Sequence, residues 1–368
     1  MPGVMQELQE IRTLAREFAR TELRPHAERW DHERTIDDAV REQIAELGFF
    51  GMIVPETFGG MGFDAYAYVA VLEQLAWGEP AVAVLVAQSA LAAQTLLQRG
   101  TGAQQQEWLE PMARGAVMPC FALAEQGAGS DLSAAQTQAR RAGAEWVLNG
   151  RKAWVTNASQ SQLAIVLARQ DDETSLFLVP KAAGWIVGER EHTLGLRPLE
   201  VGALQLENVA VPQDAHWPGA AERARSAGLS ETLGRLSIAA ISVGLAQAAL
   251  DHALAYANER EQFGAKLRSF EGLQFKLADM ATDTEAARAL LEHAARETDG
   301  KLAAMAKVFA SEAAMFVTTN AVQIFGGYGY MRDYPVEKLM RDAKAMELLE
   351  GANELQRVFI AEALYGRE

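Results

Sequence analysis

The hydrophobic period of this chain changes twice, and those two changes constrain its fold more than any other feature. Up to residue 116 apolar side chains recur at helical spacing. From Val117 to about residue 218 they fall in short alternating or β-branched runs, and from 219 onward the helical spacing returns. In the first section Leu8, Ile11, Leu14, Ala15 and Phe18 share one helical face. Ile36 to Leu47 repeats the pattern with Gly48 as a stop. After a turn-rich loop from Pro55 to Gly62, helices are predicted near 64–76, 81–99 and 103–114, the last closed by Gly115. Strands are predicted at 118–124, 134–141, 145–149, 151–156, 162–169, 174–179 and 203–211. Asn149-Gly150 predicts a hairpin turn between the third and fourth, because both positions of a type I′ turn want positive φ. Such strands suggest a small antiparallel sheet domain, a barrel or sandwich. The last section, with helical segments at 230–260, 270–298, 301–324, 336–348 and 353–364, is long enough for a four-helix bundle. A 368-residue chain exceeds one typical core. The expectation is a mainly α protein with a central β domain, divided as 1–116, 117–218 and 219–368.

Charge and composition remove several classes of function. A formal net charge of −15 argues against non-specific nucleic-acid binding, which needs a basic face. His26, His32, His192, His216, His252 and His293 show no metal-ligand spacing. The single cysteine, Cys120, permits no intramolecular disulfide and fits a reducing compartment. The start, charged within its first turns, lacks the apolar core of a signal peptide, and no window is read as a membrane span. A soluble cytoplasmic protein is expected.

Five stretches carry candidate chemistry. Phe121 to Asp131 (FALAEQGAGSD) follows a strand and is glycine-rich, so its backbone N–H groups and the Ser130 hydroxyl suit a phosphate or a flavin edge. It lacks the third glycine and the following helix of a dinucleotide fingerprint, and taken alone it reads as a plain loop. Trp154 and Thr156 alternate on one strand face, where an indole and a hydroxyl can serve one ligand; taken alone, Trp154 reads as a core residue. Arg260-Glu261-Gln262-Phe263-Gly264 reads as a helix C-cap carrying a cation and an aromatic. In Gln323 to Tyr330 (QIFGGYGY), three glycines within four residues permit very close backbone approach by a ligand or a second subunit. Finally, Glu350 sits between two helical patterns, behind Leu348-Leu349 and before Gly351. Partial desolvation there raises a carboxyl pKa and strengthens it as a base, although helix-end glutamates are ordinarily unremarkable.

Together and in this order, the stretches resemble the acyl-CoA dehydrogenase family over essentially the whole chain, closest in pattern to its short- and medium-chain branches. The resemblance implies an N-terminal helical domain, a small β-barrel or sandwich and a C-terminal four-helix bundle, assembled as a homotetramer (or homodimer). FAD would lie between the β domain and the bundle, its adenosine end held by a neighbouring subunit. Phe121, Leu123 and Ala124 would line the flavin, Trp154 would pack on its ring, and Thr156 would bond near its reactive nitrogen. Arg260, Phe263, Gln323, Gly326 and Gly327 would contact FAD across the subunit boundary, with Glu271 and Ala352 at further cofactor positions. Ser130 would lie near the pyrophosphate or the pantetheine arm, and Arg235 and Gly351 would line the acyl-CoA side.

The implied reaction is α,β-desaturation of an acyl-CoA thioester, with Glu350 as the catalytic base and electrons passed to an electron-transfer flavoprotein. One branch of the family carries its base directly before the arginine matching Arg235; here that position is Gly234, which cannot serve. Other readings are an acyl-CoA oxidase-like flavoprotein and a non-desaturating, binding-type member. Several positions depart from the family pattern. Ala124 stands where a hydroxyl residue is usual, Gln126 for a proline, Glu271 for a cofactor-contacting glutamine and Ala352 for a threonine. These departures imply weaker or re-tuned FAD binding. The segment Trp217 to Gly234 also looks shorter than usual.

Overall fold

The computed structural model describes residues 2–171, 173–219 and 232–366. Most of the Trp217 to Gly234 segment, and with it the expectation about its length, lies outside them.

The first section forms α1 (Pro2–Phe18), α2 (Ala27–Glu33), α3 (Asp38–Glu46), α4 (Ala65–Gly78), α5 (Pro80–Arg99) and α6 (Gly102–Ala113). Its helix starts are written locally. The Asp64 carboxylate accepts from Ala67 N at 2.8 Å, and Thr101 with Gln104 forms a reciprocal capping box before α6. The last section forms α7 (Thr232–Glu259), α8 (Glu271–Glu297), α9 (Gly300–Phe325), α10 (Pro335–Met346) and α11 (Asn353–Tyr365).

Three stretches correct the expectation that no segment is apolar enough to span a membrane. By length and composition alone Pro80–Arg99, Thr232–Glu259 and Gly300–Tyr330 qualify. In this structure 78%, 94% and 61% of their most apolar windows are buried within the protein, so the apolar residues form its core. A helix that is apolar all round belongs in the centre of a large core, and α7 takes that place between α4, α9 and α8. A Cβ on Gly244 would lie 2.4 Å from the Glu73 carbonyl oxygen, so this crossing needs glycine.

The middle section contains β1 (Pro119–Ala122), β2 (Gln138–Ala142), β3 (Glu145–Thr156), β4 (Leu163–Gln170), β5 (Glu173–Pro180), β6 (Ile186–Arg190), β7 (Val201–Pro212) and β8 (His216–Trp217). They form one sheet in the order β6-β7-β3-β2-β4-β5-β8, with β1 added beside β4. The sheet is mixed rather than wholly antiparallel, because β1 and β2 both pair parallel to β4. Alternation along β4 explains why its run LAIVLA is apolar throughout. Leu163, Ile165 and Leu167 pack with α5 and α6, while Ala164, Val166 and Ala168 face a second core containing Trp146, Phe177 and Leu204.

The hairpin expected at Asn149-Gly150 is absent, and β3 runs straight through it. The actual tight turn is Gly143-Ala144, joining Ala142 to Glu145. Asn149 instead lies opposite a bulge in β7 at Glu207-Asn208, where the Asn208 N–H donates to Asn149 Oδ1 at 2.8 Å. The flanking residues pair with β2 on one side and β7 on the other, and those ladders outweigh the local turn preference. Arg260 caps its helix as expected, its N–H donating to the Tyr256 carbonyl at 2.8 Å, but the residues after it are corrected. The helix ends at Glu259, and β9 (Glu261–Gln262) and β10 (Ala265–Lys266) form a small hairpin turning on Phe263-Gly264, both at positive φ.

Candidate active site

Glu350 lies in the turn between α10 and α11, with φ of +52°, followed by Gly351 at +86°. A glutamate in the left-handed region costs about 1–3 kcal/mol and persists only where its surroundings over-determine it. Here the turn's carbonyls are held from two sides. Gln356 Nε2 on α11 donates to the Glu350 carbonyl at 3.0 Å, and Lys307 Nζ on α9 donates to the carbonyls of Glu347 at 3.1 Å and Gly351 at 2.9 Å. The Glu350 side chain is half-buried. Its charge acts on three buried groups: Arg235 on α7, Tyr68 on α4 and Lys307. Burial lowers the pKa of Arg235, and the Glu350 carboxylate opposes that shift. The Arg235 guanidinium lies 4.0 Å over the Phe359 ring and donates to the Gly300 carbonyl at 3.4 Å. Its Nε is buried without a hydrogen-bond partner among the described residues, leaving a donor to be satisfied. The Tyr68 phenol bonds the Ser237 hydroxyl at 2.8 Å, and burial raises its pKa.

A second group of predicted residues gathers where β1 meets β3. The Ala153 N–H donates to the Ala124 carbonyl at 2.9 Å, bringing Phe121, Leu123 and Ala124 alongside the strand that bears Trp154 and Thr156. Trp154 is not a core residue. A bulge in β3 at Ala153-Trp154 puts it at φ +54° and leaves it 51% exposed, while Val155 is buried. An exposed indole on a strained backbone marks a candidate ligand platform. The loop beyond β1 is shaped by Lys152, whose fully buried ammonium donates to the Leu123 carbonyl at 2.9 Å and to Glu125 Oε1 at 2.8 Å. Burial disfavours the Glu125 carboxylate, but donors from Lys152, Thr137 and Gln136 outweigh it and hold that carboxyl at about 2. Ser130 is exposed at the end of this loop, away from those bonds.

The third group lies at the far end of the bundle. Arg260, Gly326 and Gly327 line an open cleft of about 490 Å³ together with Tyr256, Phe325 and Tyr328. Tyr256 stacks on Phe325 at 4.0 Å, and the Arg260 guanidinium lies 5.2 Å over the Tyr328 ring. A Cβ on either Gly326 or Gly327 would meet nothing within 4 Å, so these glycines present open backbone to the cleft. Gln323 is exposed one turn earlier on α9. Phe263, at the hairpin tip, is 95% exposed, and Glu271 is exposed at the first position of α8. The half-buried Ala352 follows Gly351 in the base-bearing turn.

The residues missed from sequence are those that hold these groups in place. Lys307, Asn353 and Gln356 clamp the turn of Glu350, and Lys152 with Glu125 braces the glycine-rich loop. A signal for Lys307 was present, since it is a lone cation sharing the apolar face of Ala303, Ala310 and Ala314.

Three family models match the chain: "Acyl-CoA dehydrogenase, N-terminal domain" over residues 5–116, the middle domain over 120–209 and the C-terminal domain over 229–365. The short-chain specific acyl-CoA dehydrogenase of Rattus norvegicus mitochondria is 39% identical over 365 residues, covering 96% of this chain and 89% of that protein. Among solved structures, butyryl-CoA dehydrogenase from Megasphaera elsdenii superposes with a TM-score of 0.93 at 34% identity, covering 97% of this chain and 98% of that one. A glutaryl-CoA dehydrogenase from Mycobacterium smegmatis in complex with FADH2 superposes with a TM-score of 0.91 at 28% identity, covering 98% and 95%.

Proposed function

The chain belongs to the acyl-CoA dehydrogenase family of oxidoreductases, and from that premise we propose that it desaturates an acyl-CoA thioester to the trans-2-enoyl-CoA, with Glu350 as the base. The observation that carries this proposal is the turn at Glu350. Its backbone is strained and clamped, and its carboxylate acts on the buried Arg235. The names of the rat and Megasphaera relatives point to a short acyl chain as the substrate class.

An α C–H of a thioester is a weak acid, so the base needs partial desolvation and the thioester oxygen needs hydrogen-bond donors as enolate charge develops. Glu350 is half-buried, and by its resemblance to the family its own backbone N–H would be the protein's donor to that oxygen. Arg235 and Gly351 border the acyl-CoA side, and Ser130 lies at the loop end suited to the pantetheine arm or pyrophosphate.

Members of this family are flavoproteins, and the residues present fit FAD. Trp154 offers a half-exposed ring beside Thr156, and the cleft at Arg260 offers one cation, aromatic faces and bare glycine backbone. FAD, when bound, supplies the acceptor for the β-hydride. Phe121, Leu123, Ala124, Trp154 and Thr156 would hold its flavin end, and Arg260, Phe263, Glu271, Gln323, Gly326 and Gly327 its dinucleotide end. Exposed Phe263, Phe275, Phe309, Phe316, Val358 and Leu364 on the bundle support a homotetramer in which that second group serves a neighbouring subunit. The buried Cys120 fits the cytoplasm as the location, and an electron-transfer flavoprotein is the proposed acceptor.

An anaerobic titration with acyl-CoAs of graded length, followed by the visible flavin band, tests the activity. Short straight chains are expected to bleach the band, and a yellow protein that none of them bleaches would overturn the assignment. Arg260→Ala is expected to weaken FAD retention by roughly tenfold, the loss of one charge-assisted hydrogen bond. Measured as the FAD-to-protein ratio after gel filtration, an undiminished ratio would remove Arg260 from the cofactor site.

A further inference from the structure

Lys307 is a fully buried cation whose three ammonium protons match three acceptors: the carbonyls of Glu347 and Gly351 and the Asn353 Oδ1, the last at 2.7 Å. Asn353 is fixed in turn, donating through Nδ2 to Ser311 Oγ at 2.9 Å and through its N–H to the Glu347 carbonyl at 3.0 Å. The only residues between these anchors are Leu348, Leu349, Glu350 and Ala352. We propose that Lys307 is a positioning residue for Glu350, its ammonium closing the Glu347–Asn353 turn so that the carboxylate is held where it can meet the α proton. This role presupposes Glu350 as the base.

The charge matters as well as the shape. A neutral amine has two protons, so one of the three acceptors would face a lone pair. Burial pushes Lys307 down to about 8, against the carboxylates of Glu350 and Glu347 on the turn, Glu354 on α11 and Glu312 on its own helix. Arg235 from α7 and Tyr68 from α4 face Glu350 from the other elements. Between pH of about 8 and 10.5 the unfolded chain keeps the Lys307 proton that the folded chain has lost. Through this group, raising the pH over that window therefore adds to stability while the clamp loses a donor. An alkaline fall in turnover without a matching fall in stability follows from the clamp and not from a structural lysine.

The test compares Lys307→Met, Asn353→Ala and Glu350→Gln in the FAD-loaded enzyme, with amide hydrogen exchange and steady-state kinetics as separate readouts. Lys307→Met is expected to lower kcat about 100-fold with little change in KM, the scale of a misplaced reacting group. The alkaline limb of the parent's kcat profile should vanish in that variant, and exchange should quicken at 347–353 alone. Asn353→Ala, which removes one acceptor, should show the same local exchange and a smaller loss, and it decides the matter by the same readouts if Lys307→Met yields no soluble protein. Unchanged exchange at the turn, or faster exchange spread through the whole bundle, would overturn the positioning role. So would a kcat within twofold of the parent while Glu350→Gln is inactive. If Glu350→Gln remains active, the base assignment fails instead, and the exchange result identifies a clamp without a catalytic partner.

Discussion

Glu350→Gln is expected to retain FAD and acyl-CoA binding while turnover falls by roughly 10²–10⁴-fold, the usual contribution of a positioned general base. The amide keeps the size of the side chain, and the turn is held through its backbone. Its anchors are backbone carbonyls bonded to Lys307 and Gln356, which the substitution leaves in place. The neighbouring Arg235 keeps its bond to the Gly300 carbonyl and its place over Phe359. The variant should therefore fold and still respond to acyl-CoA with a shift of the flavin band, without bleaching. Glu350→Asp withdraws the carboxylate by one methylene and should fall between the two, because displacements of about 1 Å cost roughly 100-fold. Turnover of Glu350→Gln within tenfold of the parent would exclude this residue as the base.

The switches of period at Val117 and near 219 marked out helical and strand sections that the structure also contains, because they reflect which faces are buried. What failed depended on competition between local and distant forces. Asn149-Gly150 has the chemistry of a turn, yet its neighbours are paired on both sides and the pair stays inside a continuous strand. Phe263-Gly264 looked like a helix cap, but two residues at positive φ made a hairpin that pushes the phenylalanine into solvent. The membrane-length helices were overlooked because their apolarity serves a core instead of a bilayer, a distinction that burial makes and composition does not. At the site, residues with distinctive chemistry such as Glu350, Trp154 and Arg260 stood out, whereas Lys307 and Lys152 did not. A buried lysine is identified by what surrounds it, and its acceptors come from segments distant in sequence.

The same contrast applies to Lys338, and Lys338→Met is expected to destabilise the fold more than either substitution at Glu350. Lys338 on α10 is buried, with Nζ 3.0 Å from Glu79 Oε1 at the N-cap of α5 and 2.7 Å from Asp342 Oδ2. Both carboxylates are fully buried, and the Asp342 Oδ1 also accepts the Leu196 N–H from the β domain. One turn away, Arg341 forks onto Asp31 of α2 at 2.8 and 3.1 Å and donates to the Leu194 carbonyl. Between those contacts Gly195 lies so close to α10 that a Cβ would sit 2.3 Å from the Arg341 carbonyl oxygen. The first, second and third sections of the chain thus meet on one face of α10, with a single ammonium between two buried carboxylates. Removing it leaves like charges without compensation, which costs about 3–5 kcal/mol. Burial, with Asp342 adding to it, already pushes Glu79 up to about 6 despite Lys338. Without the ammonium at least one of the two carboxyls must take up a proton to stay buried. A group whose folded pKa lies above its unfolded value favours the fold at low pH and loses that contribution as pH rises through the folded value. The deficit of Lys338→Met should therefore be largest at pH 7.5 and shrink at pH 5.5. Adding Glu79→Gln and Asp342→Asn should recover much of it, because a neutral cluster carries no buried charge. Denaturant midpoints for the single and triple variants at both pH values measure this, and a deficit that is equal at the two would show that α10 is held by packing and not by the charges of Glu79, Lys338 and Asp342.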